Sequence, residues 1–188
     1  MVVNMNRFHR WYCGTGHWRR HLTGSILPRA LAGEELGSHV LELGPGRGAS
    51  TDWLRGTTPS LTSLELDPEL AAALEARFDD VEIVNGSATA VPFTDGSFTG
   101  VVCTTMLHHV PTAAEQDQLF TETRRVLGAG GVFCGSDSLS TPIFRLAHRG
   151  DVMNVVDPEA LPERLAAAGF TDIRVTRGSD FFTFRAST

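Results

Sequence analysis

The 188-residue sequence lacks the features that set a chain apart from ordinary globular domains. No apolar run approaches the roughly 18 residues that a membrane-spanning helix requires. The opening stretch Met1–Trp11 has no apolar core of a secretory signal. Cysteine is scarce. Cys13, Cys103 and Cys134 form no Cys-x-x-Cys pair and are odd in number, which predicts reduced thiols. Positive charge is in deficit, with 16 Lys and Arg against 22 Asp and Glu and a formal net charge of −6. That balance argues against a broad phosphate-binding surface, so no nucleic-acid partner is expected. Repeats, low-complexity tracts and linkers are missing as well. Together these absences predict a single cytoplasmic domain with no membrane partner, and they leave the oligomeric state, monomer or homodimer, open.

What is present centres on Val40–Ala49, which reads VLELGPGRGA. An apolar run ends in Glu42 and gives way to Gly44, Pro45, Gly46 and Gly48. This spacing lets a strand stop, turn tightly and feed a helix, and glycine lets backbone amides approach a ligand. A second acidic residue, Glu65, ends the apolar run Leu61–Leu66 about 20 residues on, where a Rossmann-type unit places a carboxylate against a ribose. The glycines also satisfy the dinucleotide pattern G-x-G-x-x-[GA], so a nicotinamide site competes, as does a strand–turn–helix without a ligand. Glu42 disfavours the pyrophosphate and suits a ligand with a cationic end.

Strands are expected at Val40–Gly44, Leu61–Leu66, Val81–Asn85, Val101–Thr104 and Val132–Ser136. They alternate with helices at Ala49–Arg55, Pro68–Phe78 and Thr112–Leu127, the pattern of a parallel sheet with crossover helices. Asp67 and Thr112 read as helix N-caps, the latter with Glu115 in a capping box. Gly128–Gly131 ends the third helix. A helix at Asp157–Ala168 precedes two strands, Phe170–Thr176 and Phe181–Ala186, forming a terminal antiparallel pair. At the front, Phe8, Trp11, Tyr12, Thr15, Trp18 and Leu22 recur at helical spacing, broken by Gly14 and Gly16, and a short helix covers Ile26–Leu36. The segment reads as an amphipathic helix packed on the domain or as a lid shaping a substrate pocket, with Tyr12 and Trp18 as contacts. Ser138–Val156 has no clean period and reads as a variable loop or short helical insert.

Glu42-Leu43-Gly44-Pro45-Gly46-Arg47-Gly48 resembles the first motif of the class I S-adenosylmethionine-dependent methyltransferases. Four further sites extend the resemblance over roughly Gly37–Phe184. Glu65 and Leu66 match the acidic, ribose-binding stretch. Gly86-Ser87-Ala88 is similar to the family's Gly-Asp-Ala beside the adenine, with Ser87 in place of Asp. Phe98–Val110 resembles the stretch lining the methyl-transfer region, with Cys103 and Thr104 near the methionine part. Arg124–Leu127 with Gly130-Gly131 matches a structural turn. The N-terminal segment together with Gly135–Ser138 looks like a type 11-like group of small bacterial methyltransferases acting on small molecules.

The resemblance implies an α/β, Rossmann-like doubly wound fold. Its sheet would have seven strands, mostly parallel, with an antiparallel C-terminal strand and helices on both faces. A helical lid would occupy 1–36 and the core 37–188. It also implies S-adenosylmethionine as cofactor and methyl transfer to a small-molecule acceptor by in-line displacement. The runners-up are a nicotinamide-type oxidoreductase and a non-catalytic S-adenosylmethionine-binding protein. Glu42 would orient the cationic end of the cofactor. His108 and His109 are candidate general bases, because neutral imidazole titrates near working pH; capping of the next helix is the competing reading. His148 and Asp151 are candidate substrate contacts. No third residue has convincing spacing for a metal with His108 and His109, and no metal is expected.

Overall fold

A computed structural model describes residues 6–151 and 153–188. The first five residues of the expected lid, and Val152 within the expected insert, lie outside the described residues. The core is one seven-stranded sheet in the order β3-β2-β1-β4-β5-β7-β6. The strands are β1 (His39–Leu43), β2 (Ser60–Glu65), β3 (Glu82–Asn85), β4 (Phe98–Thr104), β5 (Leu127–Ser138), β6 (Thr171–Arg177) and β7 (Phe181–Ser187). β1 to β5 pair in parallel, while β7 runs antiparallel between β5 and β6. The strand order reverses direction at β1 and β4. The crevice at their carboxyl ends is where doubly wound sheets bind ligands.

The helices are α1 (Arg7–Cys13), α2 (Gly16–His21), α3 (Leu27–Ala30), α4 (Ala49–Leu54), α5 (Pro68–Glu75), α6 (Ala113–Val126), α7 (Pro142–Ala147) and α8 (Leu161–Ala167). Two apolar clusters sandwich the sheet. One gathers Leu41, Val101, Phe120, Phe133, Leu165 and Phe184, and the other gathers Leu27, Val40, Leu54, Leu74, Val102 and Cys134. Alternate residues of β1 and β4 thus face opposite layers, as the two-residue period of a strand requires.

The expected caps form. Asp67 accepts the Glu69 amide at 2.9 Å at the start of α5, and Thr112 accepts the Glu115 amide at 3.1 Å at the start of α6. Three boundaries differ most from expectation. Leu127–Gly131 belongs to β5, because Leu127 pairs with Phe98 before a bulge lets Val132 pair with Gly100. The helix over Asp157–Ala168 shortens to α8, with Asp157 closing a turn in front of it by accepting the Glu159 amide. The separate helix over Ile26–Leu36 becomes one run from Gly16 to Ala30. Its middle, Leu22–Ile26, is a π-turn whose outgoing Leu27 amide bonds the Leu22 carbonyl. Pro28 brings no amide hydrogen to this run, so the α-ladder cannot continue unbroken there. The break at Gly14 falls where expected, between α1 and α2.

Candidate active site

The carboxyl ends of β1, β2 and β4 open into a cavity of about 1030 Å³, roofed by α1, α2 and α7. That is room for a nucleoside-sized ligand and a second molecule. The floor is built by the glycine turn after β1. Gly44 (φ +66°) and Gly48 (φ +77°) adopt left-handed backbone. A Cβ at Gly44 would collide with Met106 Cγ, and one at Gly48 would lie 2.6 Å from Leu74 Cδ2. Larger residues at either position would disrupt the turn.

Glu65 ends β2 at the cavity wall. One carboxylate oxygen accepts the Gly46 amide and the other the Asp67 amide, each at 2.9 Å. The carboxylate is locked by backbone, yet each oxygen keeps a lone pair for a ligand hydroxyl. Burial pushes its pKa up from the ordinary 4.5, against the opposing pull of those two amides. Glu42 is set differently. It is 1% exposed and accepts hydroxyl hydrogens from Ser50, Thr51 (2.7 Å) and Ser63 (2.7 Å). It ties β1 to β2 and α4 beneath the turn and is not among the cavity-lining residues. Burial pushes its pKa up, and the three hydroxyls oppose that rise.

The far end of the cavity is a histidine chamber. His108 and His109 sit on the 3₁₀ turn Leu107–His109 after β4. Asp137 of β5 binds His108 twice, at its backbone amide (2.8 Å) and at its ring Nδ1, which leaves Nε2 as the free ring nitrogen. His148 caps the end of α7, and its Nδ1 bonds the Phe144 carbonyl at 2.8 Å. His9 of α1 bonds Asp151 at 2.8 Å through Nδ1. The rings crowd together, with centroids 4.2 Å apart for His108 and His109 and 4.0 Å for His9 and His148. Burial lowers the pKa of His109 to about 2 and of His148 to about 4, with neighbouring histidines adding to the effect. His9 is also lowered by burial, although Asp151 opposes it. The imidazoles of His9, His109 and His148 are therefore neutral at physiological pH.

Of the residues singled out in the sequence, Gly44, Pro45, Gly46, Glu65, Leu66, Ser87, Ala88, Thr104, His108, His109, Tyr12, Trp18 and His148 line the cavity. Four others stand behind its wall. Glu42 is consumed by hydroxyls, and Gly48 packs on α5. Cys103 is fully buried in the sheet, and Asp151 holds His9 and the Asn6 amide. Ser87 bonds Thr89 within its own loop. Sequence reading did not assign a role at the site to His9 or Asp137. Their partners lie 142 and 29 residues away, beyond the reach of local spacing. The Gly135-Ser136-Asp137-Ser138 match was the one available signal for Asp137.

The profile of the family described as methyltransferase domain matches residues 41–135, half of the chain. The ribosomal RNA small subunit methyltransferase A of Synechococcus elongatus is 43% identical over 68 residues, which are 35% of this chain and 24% of that enzyme. The demethylmenaquinone methyltransferase of Beutenbergia cavernae is 31% identical over 108 residues, 57% of this chain and 42% of that one. The matched stretch thus spans about a quarter to two fifths of these curated relatives. A crystal structure of a SAM-dependent methyltransferase from Aquifex aeolicus shares the fold. It has a TM-score of 0.74 at 15% identity and covers 98% of this chain and 99% of that one.

The first relative corrects one expectation, a small-molecule partner to the exclusion of nucleic acid. That relative is named for methylation of ribosomal RNA. A net charge of −6 describes the whole surface and does not decide what enters one cleft. Among the described residues no helix is long and apolar enough to cross a membrane. With a glycine turn, a cavity-wall carboxylate and the strand order of that fold all in place, the profile match over half its length shows that this chain belongs to the methyltransferase domain family.

Proposed function

We propose that this chain transfers a methyl group from S-adenosylmethionine to an acceptor held in the histidine chamber. The observation that carries the reading is Glu65, a cavity-wall carboxylate fixed by the Gly46 and Asp67 amides with lone pairs left for two ribose hydroxyls. The cavity fits such a ligand. The Gly46 Cα faces open space, and Leu66, Ser87 and Ala88 line the wall where a purine would lie. When bound, S-adenosylmethionine supplies a methyl group on a sulfonium already activated by charge. Everything else falls to the protein: exclusion of water, and alignment of the acceptor's nucleophile behind the methyl carbon.

Glu42 acts as a positioning residue, keeping the β1 turn and the start of α4 in register. His108 is the proton acceptor where the acceptor must lose a proton, since Asp137 fixes its ring and its Nε2 has no partner among the described residues. Tyr12, Trp18, Phe144 and Phe181 line the cavity with the neutral histidines. This lining suits a compact, uncharged aromatic or heteroaromatic group. A free aromatic compound and a nucleobase carried on RNA both meet that description.

Calorimetric titration with S-adenosylmethionine, S-adenosylhomocysteine and NAD tests the cofactor. The expected result is binding of the two sulfur nucleotides and not NAD, weakened at least about 100-fold in Glu65→Ala, as loss of two charge-assisted hydrogen bonds implies. Binding of NAD alone would overturn the reading. With an acceptor found by screening aromatic compounds and RNA, His108→Gln should lower kcat by about 100-fold or more while leaving cofactor affinity unchanged.

A further inference from the structure

The histidine chamber holds more imidazole than methyl transfer uses. His9, His109 and His148 each present a ring nitrogen, and the three atoms lie within 4.8 Å of one another. They arrive from three separate elements: α1, the turn after β4, and the end of α7. Hydrogen bonds fix which nitrogen two of them offer. His9 gives its Nδ1 hydrogen to the Asp151 carboxylate and keeps the Nε2 lone pair. His148 gives its Nδ1 hydrogen to the Phe144 carbonyl, and its buried Nε2 has no partner among the described residues. The buried Nδ1 of His109 has none either. Such unpaired buried nitrogens cost stability unless a hydrogen-bond donor or a metal ion takes up their lone pairs.

We propose that His9, His109 and His148 form a binding site for a divalent transition metal of the zinc class. Three neutral imidazoles are the donor set that this class prefers over magnesium or calcium, which take oxygen ligands. The arrangement has the outer shell of such sites: a carboxylate on one ligand's far nitrogen and a backbone carbonyl on another's. Zinc–nitrogen bonds of about 2.1 Å in tetrahedral geometry need donors about 3.4 Å apart, so the rings draw inward on binding. The fourth position faces the cavity, because all three ligands line it. A bound ion therefore clasps α1 and α7 to the end of β4. It also leaves one coordination site for a donor atom of whatever occupies the chamber. The site stands whether or not the methyl-transfer reading holds.

The test uses the full-length chain without an affinity tag, stripped with a chelator and titrated with Co²⁺, then with Zn²⁺ in competition. The expected result is one equivalent of Co²⁺ with the visible ligand-field absorption of a tetrahedral site, displaced by Zn²⁺, and a rise in melting temperature with Zn²⁺. Asp151→Asn should weaken binding about 10- to 100-fold, as loss of an outer-shell partner does. His148→Gln should weaken it more, whereas His39→Gln, on the exposed start of β1, should leave it unchanged. Circular dichroism reports whether each variant is folded. The unaltered chain alone can overturn the proposal: absence of a tetrahedral cobalt spectrum, or binding well below one equivalent, does so. Affinity unchanged in a folded His148→Gln, or lost equally in His39→Gln, does so as well.

Discussion

The two ends of the cavity are built by different means. At the glycine turn, position is set by backbone and short-range contacts: left-handed glycines, two amides on Glu65, and three hydroxyls on Glu42. At the histidine chamber, position is set by side chains reaching across the fold. His9 and Asp151 are 142 residues apart, and the Asn6 side chain bonds the Ala147 carbonyl across 141. The first end is rigid because the sheet holds it. The second depends on α1 and α7 staying docked, held by the bonds of Asn6 and His9 to Ala147 and Asp151.

The sharpest way to break this contrast is Glu42→Ala. Three buried hydroxyls lose their acceptor at once, and global stability should fall by about 3 kcal/mol or more in urea denaturation. Asp151→Ala, at the other end, should act locally. Amide exchange in α1 should speed up by about 10- to 100-fold, the loss of a 1–3 kcal/mol contact, while the urea midpoint hardly moves. A large drop in that midpoint would show that α1 is part of the cooperative core.

A pH titration sharpens the picture further. Under the proposed reading, ribose hydroxyls donate to the carboxylate form of Glu65, and burial holds its pKa above 4.5. Affinity for S-adenosylhomocysteine should therefore weaken as pH falls through that raised value, starting above the ordinary carboxylate range. Glu65→Gln should flatten the dependence. For stability of the empty protein the sign is opposite. A carboxyl with a raised folded pKa binds its proton more tightly folded than unfolded. Its contribution is fully present below 4.5 and declines as pH rises through the folded value. The smallest effect should come from the exposed Arg55–Asp80 pair (2.7 Å), where Arg55→Ala should cost less than about 1 kcal/mol in urea denaturation.

The end built on the glycine turn was legible in the sequence and the histidine chamber only in part. Glycine spacing, the acidic residue closing β2, and the Asp67 and Thr112 caps are local signals, and each falls where expected. The sheet follows from alternating apolar runs. Glu42 could be recognised as important, but not its burial, since Ser63 lies 21 residues away. Tyr12, Trp18, His108, His109 and His148 were found as candidates. Their meeting with His9 in one chamber was invisible, because nothing in local periodicity pairs α1 with α7. The start of β5 was missed because Gly128–Gly131 carries a turn composition while its backbone continues the ladder.

The π-turn at Leu22–Ile26 sets the phase of the roof. It accommodates one residue more than an α-turn, and each residue of a helix turns the chain by about 100°. Ile26, Leu27 and Ala30 point into the core on one side of it, while Trp18, His21 and Leu22 line the cavity on the other. Removing a single residue there, such as Thr23, would rotate everything before it by about a third of a turn. The aromatic face would swing away from the chamber with its composition unchanged. The shape of the histidine chamber is thus adjustable by length as well as by substitution.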